Sequence, residues 1–186
     1  NTAINLWGYQ AFVQLSDDYM DERLKLSLGI STMGNNYNKN MSNPLNQISP
    51  RLSASYALTE KLNLNANAGR YAMQPAYTTL GFKDNAGNFV NQNENLKYTI
   101  SNQAIAGLEY LPSNKMRMTV EGFYKQYENY PLSLSDGLSI ASKGTEFGQI
   151  GDEAITSTGM GRAYGVEVLL KVMDWKNLNV TATYTI

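Results

Sequence analysis

One pattern constrains this chain more than any other, and it is clearest in residues 47–73, QISPRLSASYALTEKLNLNANAGRYAM. Leu52, Ala54, Tyr56 and Leu58 share one parity, with Arg51, Ser53, Ser55 and Ala57 between them. Thr59-Glu60-Lys61 turns the chain. Leu62, Leu64, Ala66 and Ala68 then alternate with Asn63, Asn65, Asn67 and Gly69. Successive side chains of a strand point to opposite faces, so this is a strand–turn–strand unit with one apolar and one wet face.

The unit recurs along the chain. A first strand at 4–16 carries Trp7, Tyr9, Ala11, Val13 and Leu15 on its apolar face, and a second carries Leu24, Leu26, Leu28, Ile30 and Thr32. A fifth strand shows Ala104, Ala106, Leu108 and Tyr110, and a sixth Met116, Met118, Val120, Gly122 and Tyr124. The seventh shows Tyr164, Val166, Val168, Leu170 and Val172, and the eighth Leu178, Val180, Ala182, Tyr184 and Ile186. None of these apolar-face positions is charged. Lys25, Arg51, Glu109, Arg117, Glu121, Glu167 and Lys171 all fall on the other parity.

A soluble sandwich also alternates; the connections separate it from a membrane wall. They are short at 17–22, 59–61, 112–115 and 174–177, and long at 34–47, 74–98 and 131–161. Outer-membrane barrels combine short periplasmic turns with longer extracellular loops, whereas a Greek key has no reason to gather its long loops at one end. Trp7, Tyr9, Tyr124 and Tyr164 fall toward the long-loop end, and Tyr56, Tyr110 and Trp175 toward the other, as two interfacial girdles would. The expected fold is all-β: an antiparallel up-and-down transmembrane β-barrel segment of about eight strands.

Composition narrows the function. Net charge is −1 with 17% charged residues, so no basic surface invites nucleic acid. The chain has no Cys and no His, which removes Ser-His and Cys-His catalysis and the commonest metal ligands. No catalytic, metal or cofactor site is expected; Glu109 and Glu121 have no enclosed pocket that would make them an acid/base pair. Asp84-Asn85-Ala86-Gly87-Asn88 lacks the calcium-loop pattern at Ala86 and Phe89 and reads as a hairpin turn. The start, NTAINLWGYQ, shows no basic-then-apolar leader. With the first connection short, strand one descends and strand eight ends at the outer side. The expectation is a single partial barrel region over residues 1–186, cut from a larger barrel.

Several runs resemble a known family. Ser49-Pro50-Arg51-Leu52-Ser53-Ala54-Ser55-Tyr56, Gly69-Arg70-Tyr71, Gln74-Pro75-Ala76-Tyr77 and Gly161-Arg162-Ala163-Tyr164-Gly165-Val166-Glu167-Val168 are similar to the mid-barrel of TonB-dependent outer-membrane receptors. Glu121-Gly122-Phe123-Tyr124-Lys125-Gln126-Tyr127 before Asn129-Tyr130-Pro131 resembles the Bacteroides-type versions. The resemblance implies a Gram-negative outer-membrane location and a plugged barrel that imports a scarce nutrient such as a siderophore, cobalamin or glycan. Its implied partners are outer-membrane lipid, the small nutrient, and TonB through a plug region absent from this chain. The alternative is a small eight-stranded structural or adhesive barrel without transport.

On the importer reading, Arg51, Glu109, Arg117, Glu121, Glu167 and Lys171 face the lumen. Either they dock the plug or they pair among themselves on a hydrated wall. Arg70, Tyr77, Phe82, Tyr127 and Tyr130 reach the long-loop end, where they either stack on a ligand or pack the loops. Gly161-x-x-x-Gly165 beside Gly159 is no phosphate cradle, since no helix follows it, and reads as a bend at the start of strand seven.

Overall fold

The computed structural model describes residues 3–93, 96–143, 151–175 and 177–186. Period-two alternation becomes one eight-stranded sheet in which every strand pairs antiparallel with its sequence neighbour, in the order β1 to β8. The strands are β1 (Gly8–Tyr19), β2 (Leu24–Asn35), β3 (Ser49–Thr59), β4 (Leu62–Met73), β5 (Thr99–Ser113), β6 (Met116–Ser133), β7 (Ile155–Trp175) and β8 (Leu178–Thr185). β1 and β8 form the two edges.

Register settles which residues share a face. Leu15, Leu28, Leu52, Ala68, Ala104, Tyr124 and Tyr164 stand directly across from one another through seven strands. Two rows on, Tyr19, Leu24, Tyr56, Leu64, Leu108, Val120, Val168 and Tyr184 do the same. Because a one-residue slip would move a strand's whole set to the other face, these rows confirm the apolar parity strand by strand. The face is exposed: Leu15 is 72% and Leu28 57% accessible.

Strand ends differ from the sequence expectation. β1 starts at Gly8 and runs to Tyr19, which brings Asp17 onto the apolar parity opposite Leu26, close to the short turn. A charge is tolerated there because the cost falls toward zero at the interface. β6 and β7 pair further out than expected, Ser133 lying across from Ile155, so the third long loop shrinks to 134–154. Gly159 and Gly161 therefore sit inside β7, not at a bend before it. A Cβ at Gly159 would stand 2.6 Å from the Tyr130 carbonyl oxygen, so glycine permits the close crossing there. Trp175 ends β7, and its side chain lies outside the described residues, as does Lys176 of the last turn.

The long connections are not simple loops. The first holds a one-turn helix α1 (Lys39–Ser42) and a 3-10 turn (Pro44–Gln47); the second holds α2 (Tyr77–Leu80). They pack into a cap whose interior is Tyr37, Met41, Leu80, Leu96, Tyr98, Ile100, Ile140 and Ile155.

Candidate functional site: inner wall and loop cap

The polar parity forms the second face of the sheet, and its two halves differ. Across β1–β4 it is mostly hydroxyl and amide: Ser16, Ser27, Ser53 and Asn67 make one row, and Lys25, Ser55 and Asn65 follow Asp18 in the next. Lys25 lies 3.9 Å from Asp18. Arg51 stands over the Tyr71 ring at 4.6 Å and reaches Ser31 Oγ at 3.4 Å.

Across β5–β7 the wall is charged. Glu109 accepts from Arg117 Nε at 2.6 Å and from Asn63 Nδ2 at 3.2 Å. Glu121 lies directly across from Glu167, and Arg117 directly across from Lys171. Like charges in direct cross-strand register repel. Neither Glu121 nor Glu167 has an ion pair among the described residues. Gly107 makes room for this arrangement: a Cβ there would meet the Glu121 stem at 2.7 Å and would clash with the Val120 carbonyl oxygen. Of the six wall charges singled out in the sequence, only Glu109 and Arg117 neutralise each other.

At the long-loop end the asparagines do more than turn the chain. Asn38 caps α1 by accepting from Met41 N at 2.8 Å, while its Nδ2 donates to the carbonyls of Asn93 and Leu96. Asn35 Nδ2 donates to Gln74 Oε1 and Tyr98 Oη at 2.9 and 3.1 Å. Asn91 ties α2 to the start of β7, donating to Thr79 O at 2.8 Å and accepting from Ile155 N at 3.0 Å. Tyr37 donates to the Leu80 carbonyl at 2.9 Å, and burial pushes its phenol up to about 12. Asn35, Asn36, Asn38, Asn40, Asn43 and Asn46 crowd the first long loop, and in a sequence such density shows turns and cannot show cross-loop partners.

Of the five aromatic and cationic candidates, Tyr127 and Tyr130 alone are in ring contact with each other among the described residues. Arg70 donates to the carbonyls of Ile48 and Asn46, so its guanidinium clamps the first long loop onto β4. Tyr77 begins α2 and is 67% exposed. Phe82 is half-buried, and its carbonyl accepts from Val90 N. Tyr127 and Tyr130 meet edge to face, 6.4 Å between centroids, across a bulge in β6. Among the described residues no ring contact joins that pair to Tyr77 or Phe82.

The Asp84 stretch is a hairpin turn, with Lys83 bridged to Phe89 and Gly87 at φ 85°. Asp84 accepts from the backbone of Ala86 and Asn88, and the hydrogen bonds from Asn88 hold its carboxyl below the usual range. In the third long loop Lys143 bridges Asp136 at 2.7 Å and Glu153 at 2.8 Å, and Ser133 donates to Glu153.

The family model for the TonB dependent receptor-like β-barrel matches residues 1–186. No curated protein sequence matches. Among solved structures, the chain is similar to a mutant of the ferric enterobactin receptor PfeA of Pseudomonas aeruginosa, with TM-score 0.65 and 18% identity over 97% of this chain and 26% of that one. It is similar to the ferric-catecholate import receptor Fiu of E. coli K12, with TM-score 0.66 and 13% identity over 97% of this chain and 27% of that one. The siderophore receptor PirA of Acinetobacter baumannii gives TM-score 0.64 and 15% identity over 96% and 27%. The chain thus spans about a quarter of these solved chains. Identities this low carry the fold, and the full-length family match carries the membership. An outward apolar face, short turns opposite a loop cap, and that match together place the chain in the TonB-dependent receptor-like β-barrel family, whose members lie in the outer membrane of Gram-negative bacteria.

Proposed function

We propose that this chain is part of the wall of a plugged nutrient importer: a single partial barrel region whose polar face meets a plug carried elsewhere in the protein. The supporting observation is the Glu121–Glu167 couplet, two carboxylates in direct register with no ion-pair partner among the described residues. A self-filled small barrel has no reason to set like charges side by side, whereas a lumen that receives a separate body can take its cation from that body. Arg51, Glu109, Arg117 and Lys171 extend the same surface, and TonB acts through the plug. The similar structures named for ferric enterobactin, ferric catecholates and siderophores favour a small nutrient ligand met at the cap. There Tyr77 is the candidate whose ring is free to stack on it. Changing Glu121 and Glu167 together to Gln tests the couplet in the full-length protein. Heat-modifiable gel mobility should be kept, while the plug becomes more readily cut by protease and uptake falls. Unchanged uptake and plug protection would contradict the docking role.

A further inference from the structure

The lipid-facing side of the wall is uneven. Between the Leu52 row and the Tyr56 row lies a third, in which Ala54, Ala66, Ala106 and Gly122 stand directly across from one another. With Ala68 and Ala104 of the next row toward the cap, they floor a groove of about 680 Å3. Tyr124, Tyr164 and Val166 line it on the β6–β7 side. Toward the short turns the side chains are large again, with Leu64, Leu108 and Val120 in one row. The groove thus runs from the Tyr124–Tyr164 pair down to the middle of the wall.

Gly122 shows that the backbone does not force this hollow. A glycine inside a strand weakens it, and marks a bulge, a bend, or the close approach of a ligand or another backbone. Register runs unbroken through Gly122 on both sides, and its φ is not positive. Apart from its chain neighbours, a Cβ there would approach nothing among the described residues closer than the Ala106 carbonyl oxygen, at 3.9 Å. The strand therefore has room for a side chain that it does not carry, which leaves the approach of a ligand.

Charge at the outer end of the groove fixes the kind of ligand. One row beyond Tyr124 and Tyr164, on the same face, Gln126 stands directly across from Arg162. Both are exposed, and neither side chain has a partner among the described residues. Arg70 lies in the same row, but its guanidinium is held by the carbonyls of Asn46 and Ile48. Glu128, one row further out, accepts from Asn102 Nδ2 at 2.9 Å. That leaves Arg162 as an uncommitted cation about 7 Å along the strand from Tyr164. An apolar groove ending in a cation and an amide fits an acyl chain whose head group carries phosphate. The loop cap marks this end as the outer one, and the outer leaflet there is lipopolysaccharide. We infer that the wall holds one lipopolysaccharide molecule, with an acyl chain in the Ala66–Gly122 groove and a lipid A phosphate accepting from Arg162 and Gln126. The site stands on the barrel wall and its membrane, independently of the importer reading.

Native mass spectrometry of the full-length protein in detergent tests it, with lipid A, dephosphorylated lipid A and phosphatidylglycerol each titrated alone. Lipid A should add first as a single molecule per protein, and phosphatidylglycerol more weakly. Gly122→Leu fills the groove where a side chain has room, and should weaken lipid A about tenfold. Arg162→Gln should weaken it about fivefold, with recovery in Arg162→Lys. Ala182→Leu, a similar change on the lipid-facing parity of β8, should leave the affinity unchanged. Heat-modifiable gel mobility checks that every variant has folded. Equal affinity for lipid A and phosphatidylglycerol would reduce the groove to ordinary lipid contact and overturn the proposal. Undiminished binding in Gly122→Leu and Arg162→Gln, or full affinity for the dephosphorylated lipid, would overturn it as well.

Discussion

The wall and the cap use the same residue types in opposite ways. In the wall Leu15 is 72% exposed and Tyr164 68%, whereas in the cap Met41 and Leu80 are fully buried and Leu96 nearly so. The cap builds its own interior, as a protein in water must, and lines it with paired asparagines. The wall leaves its apolar face for hydrocarbon to cover and keeps its polar groups on the other side. One chain thus contains two kinds of hydrophobic surface, and what distinguishes them is the medium each meets.

The largest contrast comes from shortening a leucine in each region. Leu80→Ala empties space inside the cap and should cost about 2–5 kcal/mol of local stability. Leu64→Ala, on the face that lipid covers, should cost far less because lipid fills the space. Hydrogen exchange should show faster opening around Tyr37 and Asn91 in the first variant only. Comparable opening in both would remove the distinction between the regions.

Charge probes the wall from the other side. Leu64→Arg or Val168→Arg should impair membrane assembly by about 2–4 kcal/mol near the midplane, while Asn65→Arg or Thr181→Arg on the polar face is tolerated. Heat-modifiable gel mobility reads the difference. Equal damage from the two sets would mean the faces have been exchanged.

The smallest effect belongs to the third long loop, at the water-facing end. Hydrogen bonds from Lys143 hold the Asp136 and Glu153 carboxyls below their ordinary 3.8 and 4.5, and those same bonds raise Lys143 above 10.5. The carboxylates' contribution is present above their ordinary values and is lost as pH falls through the depressed ones. The lysine's contribution is complete below 10.5 and is lost as pH rises through its raised value. The clamp should hold between these limits. Cleavage after Lys143 by a protease active in acid should therefore rise only below about pH 4.

These contrasts also show what was legible in the sequence. Parity was, because a strand's period of two is written residue by residue and register preserves it from Leu15 to Tyr164. The outer strand ends were not. Beyond the hydrocarbon no face must stay apolar, so Ser133 and Ile155 pair without leaving an alternation to read. The wall charges were legible as inner-face residues, but the Glu121–Glu167 opposition required the register. Arg70 was read as a ligand candidate because its chemistry fits one, and its carbonyl partners lie in a loop more than twenty residues away.

The central claim is that residues of alternating parity on one strand face different media, and site-directed spin labelling measures it most directly. The chain has no native Cys, so Leu64, Asn65, Ala66 and Asn67 of β4 can each be replaced by Cys and labelled in the full-length protein in a bilayer. Labels at positions 64 and 66 should be reached by oxygen and shielded from a water-soluble nickel chelate. Labels at 65 and 67 should show the reverse, or be immobilised and shielded from both by the plug. Oxygen accessibility that fails to alternate, or that is higher at 65 and 67, would contradict the account.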